Sequence, residues 1–160
     1  RWDGRDWTVL PPVQGIRLTV TDLLPSAPDD VWATGAAFGV GGPPDKPPGI
    51  VLRRWNGTEW TSWTDRTPFT VGALTSICAD ARGRPALISG WDFWDQSRSH
   101  YLRWDAAAEA WTSQRGPATP EIKPLMNNVT AIPGTDGFWS VGTTSRYAYP
   151  PAQLHIERYA

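Results

Sequence analysis

Residues 91–100 read WDFWDQSRSH and crowd two indoles, two carboxylates, a guanidinium and an imidazole into ten positions. An exposed aromatic ring beside Asp and Arg suits a sugar, whose C–H face stacks on the indole while its hydroxyls take polar partners. Trp91, Asp92, Trp94, Asp95, Arg98 and His100 are therefore candidate binding residues. The competing reading turns both indoles into a sheet and leaves the charges solvated. Arg146, Tyr147 and Tyr149, backed by Pro150 and Pro151, form a second aromatic-plus-cation set. Proline-rich loops lose little freedom on binding. Asp45 and Lys46 lie among prolines and read as a stiff solvated loop.

Acid–base chemistry has fewer candidates. Asp92, Asp95, Arg98 and His100 could serve a lyase or hydrolase. The chain has two histidines, His100 and His155, and the second falls on a strand. A copper site of the propeller-oxidase kind would need two His plus tyrosines near an axis, and a sialidase-like site three convergent arginines and an acid. The first strands supply Thr19, Thr21, Thr75, Ser76 and Thr130 instead, hydroxyls that bind but do not activate water by themselves. Asp22, Asp80 and Asp136 recur near tight turns, where a carboxylate caps its own backbone. No catalytic residue, metal ligand or cofactor is assigned.

Composition narrows the classes further. The 160 residues include 11 Trp, 16 Pro and 15 Gly with only 19% charged side chains, which describes a turn-rich chain with an aromatic core. All-β is the expectation. A net charge of −1 gives no basic footprint for nucleic acid. Cys78 is the one cysteine, so no internal disulfide forms, and it reads as a small buried apolar residue. No apolar run approaches a membrane span, and no positive-then-apolar leader opens the chain. Its start without Met fits a processed or trimmed chain, and a secreted or extracellular location is the expectation. Asn56-Gly57-Thr58 and Asn128-Val129-Thr130 match the short glycosylation sequon.

Elements that could position the candidates emerge from a repeat. Trp2, Trp55, Trp104 and Tyr159 align behind Arg1, Arg54, Arg103 and Arg158, at separations of 53, 49 and 55 residues. That is the scale of a four-stranded propeller blade. Upstream, PDDVWATG, GRPALISG and TDGFWSVG end at Gly35, Gly90 and Gly142, and RLTVTDLL, ALTSICAD and NNVTAIPG precede them. Each unit reads as strand, tight turn, strand, variable loop, strand, tight turn, strand. Asp3-Gly4 and Asn56-Gly57 accept the positive φ of hairpin turns, while DAAAEA in the middle unit predicts a different turn. Trp7, Trp60 and Trp111 are then expected to pack between sheets, hiding ~150–250 Å² each, worth about 4–6 kcal/mol as an upper bound. DAAAEAW is the only helix-friendly run, and it is too short to matter.

DDVWATG, LRRWNGTEWT and FWSVG resemble the Trp-rich β-propeller repeats of kelch-like and Asp-box-like type, in the form common in secreted actinobacterial proteins. The resemblance spans about residues 1–160 and implies a single β-propeller domain with blade units near 16–65, 72–114 and 126–160. It departs from the pattern in the middle unit, which lacks the second-strand Trp and the Asp-Gly turn, and no Ser-x-Asp-x-Gly-x-x-Trp box is intact. The chain carries three first, second and third strands, while its fourth strands begin at Trp7, Trp60 and Trp111. Residues 1–12 are thus expected to supply the closing strand, HIERYA pairing with DWTVLPP within one chain or between two. Three blades fall below the usual four to eight, so the expectation is a six-bladed homodimer, with a piece of a larger propeller as the other reading. Loops 36–49, 91–100 and 143–152 and the unit-to-unit connections share one face, where function is expected to lie. The expected function is non-enzymatic binding of carbohydrate or an extracellular polymer, with a protein-interaction scaffold or a propeller enzyme as alternatives.

Overall fold

A computed structural model describes residues 1–11, 18–38, 47–119, 122–146 and 149–159, without the side chains of 146 and 149–151. The first sheet runs β1 (Leu18–Ala27), β2 (Asp30–Ala37), β3 (Gly49–Trp55) and β4 (Trp60–Ser62). A 3-10 turn, Thr64–Arg66, leads to the second sheet: β5 (Gly72–Ala79), β6 (Pro85–Asp92), β7 (Arg98–Asp105) and β8 (Ala110–Ala118). The third sheet holds three strands, β9 (Ile122–Ala131), β10 (Phe138–Arg146) and β11 (Tyr149–Tyr159). Every sheet is an antiparallel meander in chain order. Among the described residues no α-helix forms, so no helix is long and apolar enough to cross a membrane. The arrangement is all-β and compatible with a propeller-like stack.

The repeated Arg-Trp…Trp motif is a hairpin. Trp55 pairs with Trp60 and Trp104 with Trp111, and Trp2 bridges Trp7. Their ring centroids lie 5.7, 5.2 and 5.5 Å apart, the spacing of interacting indoles. Gly4 and Gly57 carry φ of 102° and 97° in two of the turns. In the third turn Glu109 takes φ 47°, and Asp105 accepts the N–H groups of Ala107 and Ala108 to hold it.

The repeated glycine has a steric cause. A Cβ at Gly35, Gly90 or Gly142 would run into the carbonyl oxygen of Thr19, Ala73 or Leu125 on the first strand of the same sheet. Beside each glycine the first strand bulges, at Thr21, Thr75 and Asn127. The bulge turns the side chain toward the next sheet: Thr21 donates to the Leu74 carbonyl at 2.8 Å, and Thr75 to that of Met126 at 2.7 Å. Two of the first-strand hydroxyls, those of Thr21 and Thr75, thus tie first strands to one another.

The second sheet is sandwiched. One face packs Leu74, Ile77, Ile88, Leu102 and Trp111 against Trp32, Ile50 and Leu52 of the first sheet. Its other face packs Leu87 and Tyr101 against Met126, Val129 and Phe138 of the third. Strict period-two alternation along β6 and β7 divides these two cores. Trp32 is 1% exposed, with Trp63, Trp104 and Trp111 edge-on at 4.8, 5.7 and 5.6 Å. Trp111 therefore packs between sheets as expected. Trp60 is only half-buried and Trp7 largely exposed.

The expected loop lengths differ. The described residues of 143–152 are strand, since β10 and β11 pair through Thr143–Leu154 and Arg146–Tyr149. Likewise 114–128 is mostly strand, within β8 and β9. Pro117 on β8 and Pro150 and Pro151 on β11 sit on outermost strands, where a missing N–H breaks no ladder. Among the described residues, HIERYA and DWTVLPP do not pair with each other inside one chain. Among the described residues β11 bonds only β10, and residues 1–10 lie beside the first sheet, lining a cavity with Leu23, Trp55 and Trp60.

Candidate functional site

Among the described residues, the segments before β5 and after β8 meet the β6–β7 loop and the start of β3 through backbone hydrogen bonds. Phe93 donates its N–H to Val71, Gly72 to Pro48, and Thr119 to Ser97. Segments 47–49, 67–72, 91–98 and 115–119 therefore form one surface.

Trp91 and Asp92 end β6, Arg98 begins β7, and Phe93–Ser97 connect them. The loop is held by its own polar groups. Asp92 Oδ1 accepts the Trp94 N–H at 3.0 Å, Asp95 Oδ1 accepts the N–H and hydroxyl of Ser97, and Gln96 donates to the Phe93 carbonyl. The Ser97 hydroxyl is the largest influence holding the Asp95 carboxyl below its ordinary pKa. So fastened, the loop presents Trp94 with 77% of its surface exposed, edge-on to Phe93 at 5.0 Å. Trp91 is half-buried, 6.4 Å from the same phenyl ring. The two indoles thus part: one leans into the structure and one stands out.

Arg115 supplies the positive charge under this loop. Its guanidinium reaches Asp92 Oδ2 at 3.0 Å, the Asp95 carbonyl at 3.3 Å and the Asp95 carboxylate at 3.6 Å. Arg115 lies on β8, in a stretch that read as a connection, and no local spacing marked it. Arg98 is exposed at the rim.

His100 does not line the surface. It is 2% exposed, stacks on Phe69 at 4.4 Å, and places Nε2 2.7 Å from the Ser113 hydroxyl. Nδ1 has no hydrogen-bond partner and stands 3.9 Å from Asp92. Burial first, then the Arg115 charge, pushes its pKa down to about 4 against the opposing pull of Asp92 and Asp95. It is a neutral, inward imidazole. Asp92, Asp95, Arg98 and His100 accordingly share no open point at which a substrate atom could meet them all.

Tyr147 lies outside the described residues, as do the side chains of Arg146 and Tyr149, whose backbones pair at the end of the β10–β11 hairpin. Loop residues Asp45 and Lys46 also lie outside. His155 is on β11, with Nε2 2.8 Å from Glu157. Glu157 also accepts Ser99 at 2.6 Å and Tyr101 at 2.9 Å, a buried knot between second and third sheets that local pattern did not reveal. Gly116 makes room for it, because a Cβ there would strike the Ser99 hydroxyl and Glu157. Burial drives the Tyr101 pKa upward and lifts that of half-buried Cys78 to about 12. Among the described residues no three His, Cys, Asp or Glu side chains cluster as metal ligands.

No protein-family model matches the chain, and no curated protein or solved structure matches it either.

Proposed function

We propose that the three sheets are successive blades of a propeller and that the protein is a non-enzymatic binding module for carbohydrate or a similar polyhydroxylated extracellular polymer. The observation that carries this reading is Trp94, three-quarters exposed on a loop that its own carboxylates hold still. A large exposed ring on an ordered loop is a recognition feature rather than a packing one. A sugar face stacked on it would bring hydroxyls toward Asp95, Arg98 and Arg115, two of which lie within 3.6 Å of each other. Rigidity lowers the entropy lost on binding.

The test is a panel of neutral and acidic oligosaccharides titrated while tryptophan emission is followed. Binding should shift emission to the blue, and Trp94→Ala should weaken it ~30-fold or more, the loss of a central aromatic contact. Absence of binding across the panel, or binding indifferent to Trp94→Ala, would sink the reading. An assembly scaffold is the second reading, favoured by the apolar outward faces of the first and third sheets.

A further inference from the structure

We infer that the outward face of the third sheet seats the first sheet of a second copy of this chain, with Trp139 entering the cavity bounded by Leu10, Leu23, Trp55 and Trp60. This rests on the propeller reading above, and the chain itself contains the contact it would repeat.

Inside the chain, Trp32 of β2 pairs with Arg54 of β3, whose guanidinium covers the indole at 5.1 Å. The ring is then enclosed by Trp63, just beyond β4, and the Trp104–Trp111 hairpin of the next sheet. Trp139 has the same position on β10. It pairs with Arg158 of β11, whose guanidinium lies over it at 5.8 Å. Yet Trp139 is 45% exposed, beside exposed Val141, Leu154 and Ile156.

The matching receptor lies at the other end of the stack. Trp55 and Trp60 stand in the first sheet where Trp104 and Trp111 stand in the second. Leu10 stands where Trp63 stands, three residues beyond the second tryptophan of its hairpin. These three side chains, with Leu23, line an apolar cavity of about 540 Å³. Knob and socket are therefore built on opposite ends of one molecule, each from residues whose counterparts already meet inside it.

The inner strands repeat the logic. Thr21 and Thr75 each leave a bulge to bond the carbonyl of the following first strand, at Leu74 and Met126. Asn127 occupies the third bulge and is exposed, so its amide is placed to donate to Val20 of the second copy. Such a contact is head-to-tail. Two copies with three sheets each then close a six-bladed ring by two equal seams.

Sedimentation at micromolar concentration should give a species of twice 17.7 kDa. Ile156→Lys and Leu23→Lys, both at exposed positions, should each raise its dissociation constant ~30-fold or more while circular dichroism stays unchanged. Mixing these two variants should restore a two-copy species, because one seam in the mixed pair carries no substitution. A folded wild-type monomer, a dimer indifferent to either substitution, or no recovery on mixing would overturn the inference. Oligosaccharide titration of the same samples separates the two ideas: a monomer that binds through Trp94 sinks only the seat, and a dimer that binds nothing sinks only the ligand.

Discussion

Arg158 holds its guanidinium over the indole of Trp139 at 5.8 Å, across the β10–β11 ladder. Arg54 does the same to Trp32 at 5.1 Å. In the second sheet Leu87 replaces the tryptophan opposite Arg103, and that arginine moves over Tyr159 of the third sheet at 5.2 Å. The arginine column thus caps aromatic rings of the first and third sheets, a cation–π use that Arg54, Arg103 and Arg158 share.

The tryptophans should differ sharply when truncated. Trp32→Ala or Trp111→Ala should cost about 3–5 kcal/mol, as loss of a large buried side chain does. Trp94→Ala should stay within about 0.5 kcal/mol. Trp60→Ala, at a half-buried ring, should fall between. The indole nitrogens of Trp32 and Trp111 have no hydrogen-bond partner, so Trp32→Phe should be milder than Trp32→Ala. Urea denaturation of the set checks the order.

Each column glycine should resist a methyl. Gly35→Ala, Gly90→Ala and Gly142→Ala drive Cβ into a main-chain carbonyl, which cannot step aside as a flexible side chain would. A loss of about 2 kcal/mol or more is expected at each, by overpacking. Alanine at exposed Gly134, whose Cβ would meet nothing, reports only the backbone cost of its φ of 75°.

Stability should decline on mild acidification because of His100. Its folded pKa of about 4 lies below the ordinary 6.5, so the unfolded chain binds a proton that the folded one refuses. The contribution is complete above pH 6.5 and is lost progressively as pH falls toward 4, by about 3 kcal/mol in total. His100→Gln should flatten that slope between pH 7 and pH 5 relative to wild type. Equal slopes for the two proteins would rule out His100 as the cause.

The Glu157 knot should act as a unit. Glu157→Ala removes the acceptor of Ser99, Tyr101 and His155 together, and a loss of about 3 kcal/mol is expected when a buried charged acceptor goes. After that change Ser99→Ala should add little. A double-mutant cycle that came out additive would refute the coupling.

The hairpins were legible because each carries its signature locally: Trp55, a turn with Gly57, and Trp60 lie within one short segment, and periodicity did the rest. Lengths of the outer strands were not, since Pro117, Pro150 and Pro151 read as loop signals until their edge position is known. The inward turn of His100 was equally hidden. The second sheet is covered on both faces, so alternation along β7 buries Ser99 and His100 alike and polarity gives no clue to direction. Arg115 reached the Trp94 loop across the β7–β8 ladder, a long-range relation with no local trace. Trp94 carries an exposed ring on the β6–β7 loop, and nothing in WDFWD distinguishes its outward ring from the half-buried one of Trp91.

The rim of the stack has a colloidal consequence. β4 is cut to three residues, and β8 and β11 carry prolines, so the last strand of each sheet makes a poor template for another chain. Concentrated solutions should therefore resist fibril growth through edge pairing.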